Sequence, residues 1–229
     1  MIRKLFRMIL KIAFLFFAIS VISVIVLRYL PVYCTPLMGI RLIEQIKDKK
    51  SPKLHHTWVA YDQISDNLKR AVVASEDQLF YQHKGFDKVQ IKKAIEENKK
   101  GKRPRGASTI SQQTAKNIFL WPHSSWFRKG LEAYFTVLIE LFWSKDRILH
   151  VYLNSIEMGD GVYGAEAVAF HHFNISASEL SKNQSALIAA TLPNPLRLSS
   201  KNPSPYVYKR QAFILRQMKN IKLPEEINK

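Results

Sequence analysis

Two adjacent carboxylates, Glu76 and Asp77, stand in the segment ASEDQLFYQHKG (74–85), after an apolar run and before an aromatic pair and a histidine. A carboxylate held against apolar surroundings has a raised pKa and can act as a general base near neutral pH. The segment therefore predicts acid–base chemistry at Glu76. The alternative is that the two carboxylates only end a helix.

A second polar segment, GASTISQQTAKN (106–117), places small hydroxyl residues at the expected start of a helix. Such a start presents backbone N–H groups and hydroxyls to an anion. Lys116 follows about one to two turns later and faces roughly the same way as Gln112 and Gln113. This arrangement suits a phosphate or a sugar amide. The alternative is a well-capped helix with solvated polar residues, because Thr109 and Gln112 have the spacing of a capping box.

A third segment, RKGLE (128–132), puts Arg128 and Glu132 four residues apart and hence on one helix face. The planar guanidinium of arginine binds oxyanions bidentately, so Arg128 could hold a phosphate. The alternative is an ordinary surface salt bridge between these two side chains.

Helices must position these segments, because apolar residues recur at helical spacing along most of the chain. The helices are expected over residues 62–76, 126–142, 146–154, 179–192 and 206–220. No alternating strand pattern longer than a few residues is visible, and NKKGKRPRG (98–106) is typical of a surface loop. We therefore expect a mainly α fold.

The N-terminal segment predicts a membrane anchor. Between Ile9 and Leu27 only Lys11 and two serines interrupt an apolar run, and a helix of that length rises about 28 Å, enough to cross a bilayer. Basic residues are concentrated at the start of the run, so the N-terminus is expected in the cytoplasm. The alternatives are a cleaved signal peptide and a lipid anchor at Cys34. Both are disfavoured because the exit sequence LRYLPVYCTP has bulky residues where small ones are needed.

The charge balance predicts an anionic partner. The 229 residues include 35 Lys and Arg against 18 Asp and Glu, a formal charge of +17. Five basic and no acidic residues lie in 1–30, so residues 31–229 keep 30 basic against 18 acidic side chains. Nucleic acid, a membrane surface and a phosphorylated substrate all fit this excess. The single cysteine, Cys34, excludes an internal disulfide and a multi-thiolate metal site.

Two further patterns are set aside. GDGVYG (159–164) matches the dinucleotide-binding fingerprint GxGxxG, but it follows a helix-like segment and no βαβ pattern surrounds it. His171 and His172 are neighbours, and neighbours on a helix point apart, so they are poor joint metal ligands.

Taken in order, the segments resemble the peptidoglycan glycosyltransferases of bacterial cell-wall synthesis. The resemblance covers residues 60 to 218, and neither SxxK nor KTG occurs, so it is to the monofunctional type rather than to two-domain penicillin-binding proteins. The motifs that carry it are EDQLFYQHKGFD (76–87), GASTISQQTAKN (106–117), RKGLE (128–132), KDRILHVYLN (145–154), GVYGAEAVAFHHF (161–173) and LIAATLPNP (187–195).

The resemblance implies a lysozyme-like helical head with a small jaw, after one transmembrane helix of the bacterial inner membrane, with the catalytic domain in the periplasm. It implies polymerisation of lipid II with inversion to a β-1,4 bond and release of undecaprenyl diphosphate. The divisions it implies are 1–30 as cytoplasmic tip and transmembrane anchor, 31–59 as connector and jaw, 60–220 as glycosyltransferase domain and 221–229 as tail.

The resemblance also implies roles for individual residues. Glu76 is the general base, while Lys116 and Arg128 neutralise charge on the departing diphosphate. Glu132 holds those cations or binds a divalent ion, Mg²⁺ or Mn²⁺, with no tightly bound cofactor expected. The implied substrate-binding residues are Asp77, Gly106, Ser108, Thr109, Gln112, Gln113, Asn117 and Lys129.

The implied partners are lipid II, the growing glycan strand, membrane lipids and other proteins of cell-wall synthesis and division, but no nucleic acid. Two positions depart from the family pattern: Ser124 stands where an arginine is usual, and Ile175 where a lysine often occurs. Loss of that arginine could weaken diphosphate binding unless His123 or Lys129 compensates.

Three alternatives from other classes stay open. They are a membrane-bound lytic enzyme that cleaves glycan strands, an inactive anchored scaffold, and a nucleic-acid-binding protein, which the anchor disfavours.

Overall fold

The structure is a computed structural model that describes residues 2–99 and 107–224. The described residues form ten α-helices and three short strands, which confirms the expected mainly α fold. Gly106, most of the 98–106 segment and the end of the 221–229 tail lie outside the described residues. The helices are α1 (Ile2–Leu27), α2 (Pro36–Lys47), α3 (Asp66–Glu76), α4 (Lys88–Lys99), α5 (Ile110–Phe119), α6 (Trp126–Phe142), α7 (Lys145–Ser155), α8 (Ala165–Phe173), α9 (Lys182–Thr191) and α10 (Pro205–Gln217).

Local capping explains where several of these helices begin. Thr109 accepts the backbone N–H of Gln112, and the Gln112 side chain accepts the N–H of Thr109, which confirms the capping box at the start of α5. Ser125 caps α6 in the simpler way, by accepting the N–H of Arg128 at 3.1 Å. The helix predicted over 126–142 is confirmed as α6 with the same bounds.

The core lies between two groups of helices. α3 packs against α9 and α10, while α5 packs against α6 and α7. Leu68, Ile139, Leu149 and Ile188 have 1% or less of their surface exposed, so these helices enclose a dry apolar interior. Burying each such side chain contributes about 1.5–3 kcal/mol to stability. The last residues of α3 and the first residues of α5 are thereby held side by side.

The described residues also contain a small sheet, which the sequence did not predict, since no alternating pattern longer than a few residues is visible. β1 (His55–His56) pairs in parallel with β3 (Val162–Tyr163), which pairs antiparallel with β2 (Glu157–Gly159). Strands of two or three residues are too short to show alternation. The segment YLNSIEMG (152–159) was expected to be helix-like; its first half is the end of α7, and its second half contains β2.

The glycines of GDGVYG serve this hairpin and the start of α8. Gly164 has φ of +83°, and a Cβ there would lie 2.4 Å from the carbonyl oxygen of Asn154. Only glycine fits both the left-handed backbone and this close approach. The pattern is therefore a steric requirement of the turn.

The N-terminal helix α1 is long and apolar enough to span a membrane, as expected. Its second half packs on α6 and α7. The hydroxyls of Ser20 and Tyr134 share a hydrogen bond of 2.6 Å, and Trp143 Nε1 donates to the carbonyl of Val24 at 2.7 Å. Since these contacts advance together along both helices, α1 and α6 run in the same direction.

The end of α1 is held by Arg147 of α7. Arg147 Nη2 donates to the carbonyl of Leu27 at 2.7 Å and also to that of Leu30. Carbonyls at the end of a helix have no partners within that helix, so the guanidinium acts as their cap. Helix α1 is thus joined to the helices that follow it by hydrogen bonds as well as by the chain. The divisions expected at residues 30, 59 and 220 stay predictions.

Candidate active site

Glu76 is the last residue of α3, and Asp77 connects that helix end to α5. The Asp77 carboxylate accepts the backbone N–H of Ile110 at 3.0 Å and contacts His83 Nε2 at 2.9 Å. It is 6% exposed, so these contacts occupy most of its surface. Asp77 therefore holds the end of α3 against the start of α5, which gives it a structural task besides the substrate-binding role implied for it.

The Glu76 side chain is half-buried and held at both oxygens. Oε2 accepts Gln113 Nε2 at 2.9 Å, and the hydroxyl of Ser75 lies 3.2 Å from Oε1. Burial raises the pKa of Glu76 above its ordinary value, and the hydrogen bonds from Gln113 and Ser75 oppose that shift. A carboxylate with a raised pKa is a suitable general base near neutral pH. The geometry matches the chemistry predicted for Glu76.

Two basic side chains contact one buried carboxylate of α6, and a third, Lys116, lies near them. Glu132 is 2% exposed and contacts Arg128 Nη1 at 2.8 Å with one oxygen and Lys129 Nζ with the other. Arg128 is also buried, so the alternative of a surface salt bridge is wrong. Arg128 Nε is buried and has no hydrogen-bond partner among the described residues.

Lys116 lies between this cluster and Glu76. Burial lowers the pKa of Lys116, and the charges of Arg128 and Lys129 act in the same direction, while Glu132 and Glu76 oppose it. In the described part of the chain no carboxylate lies within ion-pair distance of Lys116. An unpaired, partly buried ammonium is suited to bind an anionic ligand.

The Glu76–Gln113 hydrogen bond joins side chains that line two different cavities. One, of about 260 Å³, is lined by Glu76, Asp77 and residues 107–109. The other, of about 210 Å³, is lined by Gln113 and Lys116 and also includes Asn117. Gln113 lines one cavity and hydrogen-bonds to Glu76, which lines the other, so this pair of side chains connects the two cavities.

The remaining residues of α5 divide between support and lining. The Thr109 hydroxyl donates to the carbonyl of Gly85 at 2.6 Å, and Gln112 is occupied in the capping box. Ser108 is exposed and lies 3.5 Å from Lys129 Nζ, at the edge of the cation cluster. The capped-helix alternative therefore describes Thr109 and Gln112, whereas Gln113, Lys116 and Asn117 face a cavity.

Comparison with known proteins identifies the family. A family model described as Transglycosylase matches residues 41–219. The chain belongs to the transglycosylase family. It is 59% identical to the biosynthetic peptidoglycan transglycosylase of Bacteroides thetaiotaomicron, over 95% of this chain and 88% of that protein. It is 50% identical to the protein of the same name from Pseudomonas fluorescens, over 100% of this chain and 95% of that protein, and 49% identical to that of Pseudomonas aeruginosa, over 95% and 94%.

Two residues of this transglycosylase site gave no signal of a role in the sequence. Tyr152 of α7 donates its hydroxyl to Gln113 Oε1 at 3.1 Å, and Arg210 of α10 donates from Nη2 to the hydroxyl oxygen of Ser75 at 3.3 Å. Each supports a residue that touches Glu76. Tyr152 stands inside the KDRILHVYLN motif, which marked the segment but not the residue, while Arg210 stood out only as part of a basic helix.

The departure at Ser124 lies at the edge of the transglycosylase site. Ser124 is exposed and directly precedes Ser125, which caps α6. Of the two residues expected to compensate for the missing arginine, Lys129 is in the cation cluster through its contact with Glu132. His123 is exposed, and within the described chain no contact joins it to that cluster.

Glu132 does not fit a direct metal ligand in this arrangement. Both of its carboxylate oxygens already contact cations, Arg128 and Lys129. The described residues also contain no group of three acidic, histidine or cysteine side chains that could hold a metal ion. The expected role of Mg²⁺ or Mn²⁺ at Glu132 stays a prediction.

Proposed function

We propose that this transglycosylase polymerises peptidoglycan glycan chains from lipid II. The observation that carries the proposal is the Glu76 carboxylate, which lines one cavity and hydrogen-bonds to Gln113 of a second cavity that also contains Lys116. A general base near neutral pH and a site for an anionic leaving group are the two requirements of glycosyl transfer from a diphosphate. The relatives named biosynthetic peptidoglycan transglycosylases support the choice of substrate.

The proposed reaction joins a growing strand to an incoming lipid II. Glu76 takes the proton from the 4-hydroxyl of the incoming N-acetylglucosamine, and the hydroxyl oxygen bonds to the anomeric carbon of the growing strand. The bond from that carbon to the diphosphate oxygen breaks, and its electron pair leaves with undecaprenyl diphosphate. Attack from the opposite face converts the α-linked phosphate into a β-1,4 bond.

The cations would stabilise the charge that develops on the leaving diphosphate. Lys116 lines a cavity and has no ion pair among the described residues, so it can act on a phosphate oxygen. Arg128, held by Glu132, adds positive charge near it. Glu132 orients Arg128 and Lys129 before the ligand arrives. Preorganised charges of this kind do not need to rearrange as the transition state forms.

We also propose that α1 anchors the protein in the bacterial inner membrane, with the N-terminus in the cytoplasm and the head in the periplasm. The early basic residues of α1 support this orientation. The basic excess of residues 31–229 suits an anionic lipid substrate and anionic headgroups. Association with other cell-wall synthesis and division proteins stays a prediction.

The lytic alternative is disfavoured by the cation cluster. An enzyme that hydrolyses a preformed glycan has no diphosphate leaving group, so it gains nothing from placing Lys116, Arg128 and Lys129 together. The inactive-scaffold alternative rests on Ser124, which is exposed and does not disturb the ion pairs of Glu132. The assay below separates these alternatives.

The test is consumption of lipid II by the full-length protein in detergent, with products sized on a gel. Wild type should give a ladder of glycan polymers, and Glu76→Gln should lose about 100-fold or more in rate. The matched control is Glu96→Gln, an exposed carboxylate on α4. Activity of Glu76→Gln above about a tenth of wild type would remove Glu76 as the base.

The same assay tests the cation cluster. Lys116→Ala should lower turnover by about 100-fold, because a preorganised charge at the leaving group is lost, whereas Lys92→Ala on the exposed face of α4 should not. Soluble fragments released from preformed cell wall would support the lytic alternative. Folded wild-type protein that gives neither product would support the scaffold.

A further inference from the structure

A chain of two hydrogen bonds links a buried phenol to the Glu76 carboxylate. The hydroxyl of Tyr152 donates to Gln113 Oε1 at 3.1 Å, and Gln113 Nε2 donates to Glu76 Oε2 at 2.9 Å. The three residues come from α7, α5 and α3, so the chain crosses the interface of three helices. Tyr152 is 1% exposed and lines neither of the two cavities.

The phenol favours one direction of these bonds. A phenol can accept as well as donate, but among the described residues the Tyr152 hydroxyl hydrogen-bonds only to Gln113, so a reversed amide would leave the phenol hydrogen without an acceptor. A glutamine amide has an acceptor and a donor end, and it can present either one to a neighbour. Burial raises the pKa of Tyr152 well above its ordinary value, so the phenol keeps its proton and has one hydrogen to donate. With that hydrogen on Gln113 Oε1, the amide must turn its NH₂ group to Glu76.

Loss of the phenol hydroxyl would remove this preference. The Gln113 amide could then turn its carbonyl oxygen to Glu76. That oxygen needs a donor, and a carboxyl group can donate only when it is protonated. A protonated glutamic acid cannot take a proton from a sugar hydroxyl. The orientation of one amide therefore decides which protonation state of Glu76 the site favours.

We propose that Tyr152 is a positioning residue which, through Gln113, keeps Glu76 in the ionised, proton-accepting form. The proposal rests on the role of Glu76 as general base proposed above. Tyr152 touches neither cavity, so it acts through Gln113 and not on the substrate.

Other groups also act on Glu76 and must be kept constant in a test. The charge of Arg210 favours the ionised form, the charge of Asp77 disfavours it, and the Ser75 hydroxyl donates to it. The charge of Lys116 interacts with Glu76 as well. None of these groups receives a hydrogen bond from Tyr152 in the described structure, so replacing its hydroxyl alone changes only the chain through Gln113.

The test is the pH dependence of polymerisation by Tyr152→Phe in full-length protein. Loss of the oriented donor should move the acid limb of kcat/KM to higher pH by about 0.5–1 unit, the size of one hydrogen bond to a carboxylate. On the acid limb kcat should fall about three- to tenfold, with KM within about twofold, and the rate should recover at higher pH. A rate loss equal at every pH, or an unmoved acid limb, would overturn the proposal.

The control is Tyr61→Phe, which removes another phenol that hydrogen-bonds a carboxylate, Asp146, away from both cavities. Its acid limb should match wild type. If Tyr152→Phe fails to fold, Gln113→Met is a second test, since it removes both the hydrogen bond from Tyr152 to Gln113 and the one from Gln113 to Glu76. It should show the same shift of the acid limb.

A double variant then asks whether Tyr152 acts only through Gln113. In the Gln113→Met background, Tyr152→Phe should produce no further shift of the acid limb, because there is no amide left to orient. An additional shift would contradict the proposal. This outcome is independent of the proposed function, which fails only if Glu76→Gln remains active or if wild type makes no polymer.

Discussion

At the scale of single residues, the buried, ionised Glu76 carboxylate lowers the stability of the folded protein. Burial disfavours its charged form and raises its pKa above the ordinary value of 4.5, while the unfolded chain keeps the ordinary value. The folded protein therefore holds this proton more tightly than the unfolded protein. Its contribution to stability is most favourable below pH 4.5 and is lost as the pH rises through the raised pKa.

Glu76→Gln should accordingly be more stable than wild type at pH 8, because a neutral amide avoids the cost of the buried charge. The difference in Tm should shrink as the pH falls and should vanish near pH 4, where both side chains are neutral. Thermal unfolding followed by circular dichroism across this range measures it. Glu96→Gln should show no such trend, and a lower Tm of Glu76→Gln at pH 8 would contradict the prediction.

The residues of the site were predictable where their types carried the chemistry. Glu76 was indicated because it is a carboxylate that follows an apolar run. Lys116 was indicated because it lies on the same helix face as the polar residues before it, and Arg128 because a glutamate follows it four residues later. The roles of Tyr152 and Arg210 were not predictable, because each contacts a partner on another helix that is distant in sequence. No spacing rule describes such a contact.

At the scale of elements, the start of α5 joins the two halves of the site. Thr109 begins the helix, accepts the N–H of Gln112 and donates to the carbonyl of Gly85. Asp77 holds the same helix start through Ile110. Any displacement here moves Gln113 relative to Glu76.

Thr109→Ala should lower the free energy of unfolding by about 2 kcal/mol, from the lost cap and the lost bond to Gly85. Activity should fall with it, while Thr109→Ser should restore most of both. Urea denaturation and the lipid II assay give the two quantities. Ser181→Ala, which removes the exposed cap of α9, should cost about 1 kcal/mol with activity unchanged. Equal activity of Thr109→Ala and wild type would show that α5 tolerates the change.

Element positions followed from sequence more closely than element ends. Apolar periodicity gave α6 and α7 almost residue by residue, since each buries one continuous face. The helix expected over 62–76 divides instead into a 3₁₀ turn, Tyr61–Gln63, and α3, because Ser65 starts a new cap. The small sheet was not predictable, because it depends on distant β1 meeting β3.

At the scale of the whole molecule, α1 is bonded to the head and not merely tethered to it. Trp143 and Arg147 donate to backbone carbonyls of α1, and Arg147 also donates to that of Leu30, three residues beyond its end. Deletion of residues 1–30 removes these acceptors and exposes the apolar face of α6. In the deleted form the side-chain donors of Trp143 and Arg147 lose these acceptors.

The deleted form should fold and polymerise lipid II in detergent, with a lower Tm than full length, and its rate in liposomes should fall more than its rate in detergent. Thermal unfolding and the two assays measure this. Tyr134→Phe in the full chain is the control, because it removes one bond to Ser20 and keeps the anchor. Equal liposome rates for deleted and full-length protein would show that α1 contributes nothing to catalysis.

The parallel course of α1 and α6 has a consequence for how substrate is encountered. With α1 in the membrane as proposed, the first turn of α6, where Trp126 and Phe127 are exposed, points the same way as the first half of α1, towards the hydrocarbon. Arg128 follows directly on that turn. A lipid-linked diphosphate then arrives by lateral diffusion in two dimensions, and the concentration that governs its capture is its mole fraction among the surrounding lipids, not its molarity in the solution.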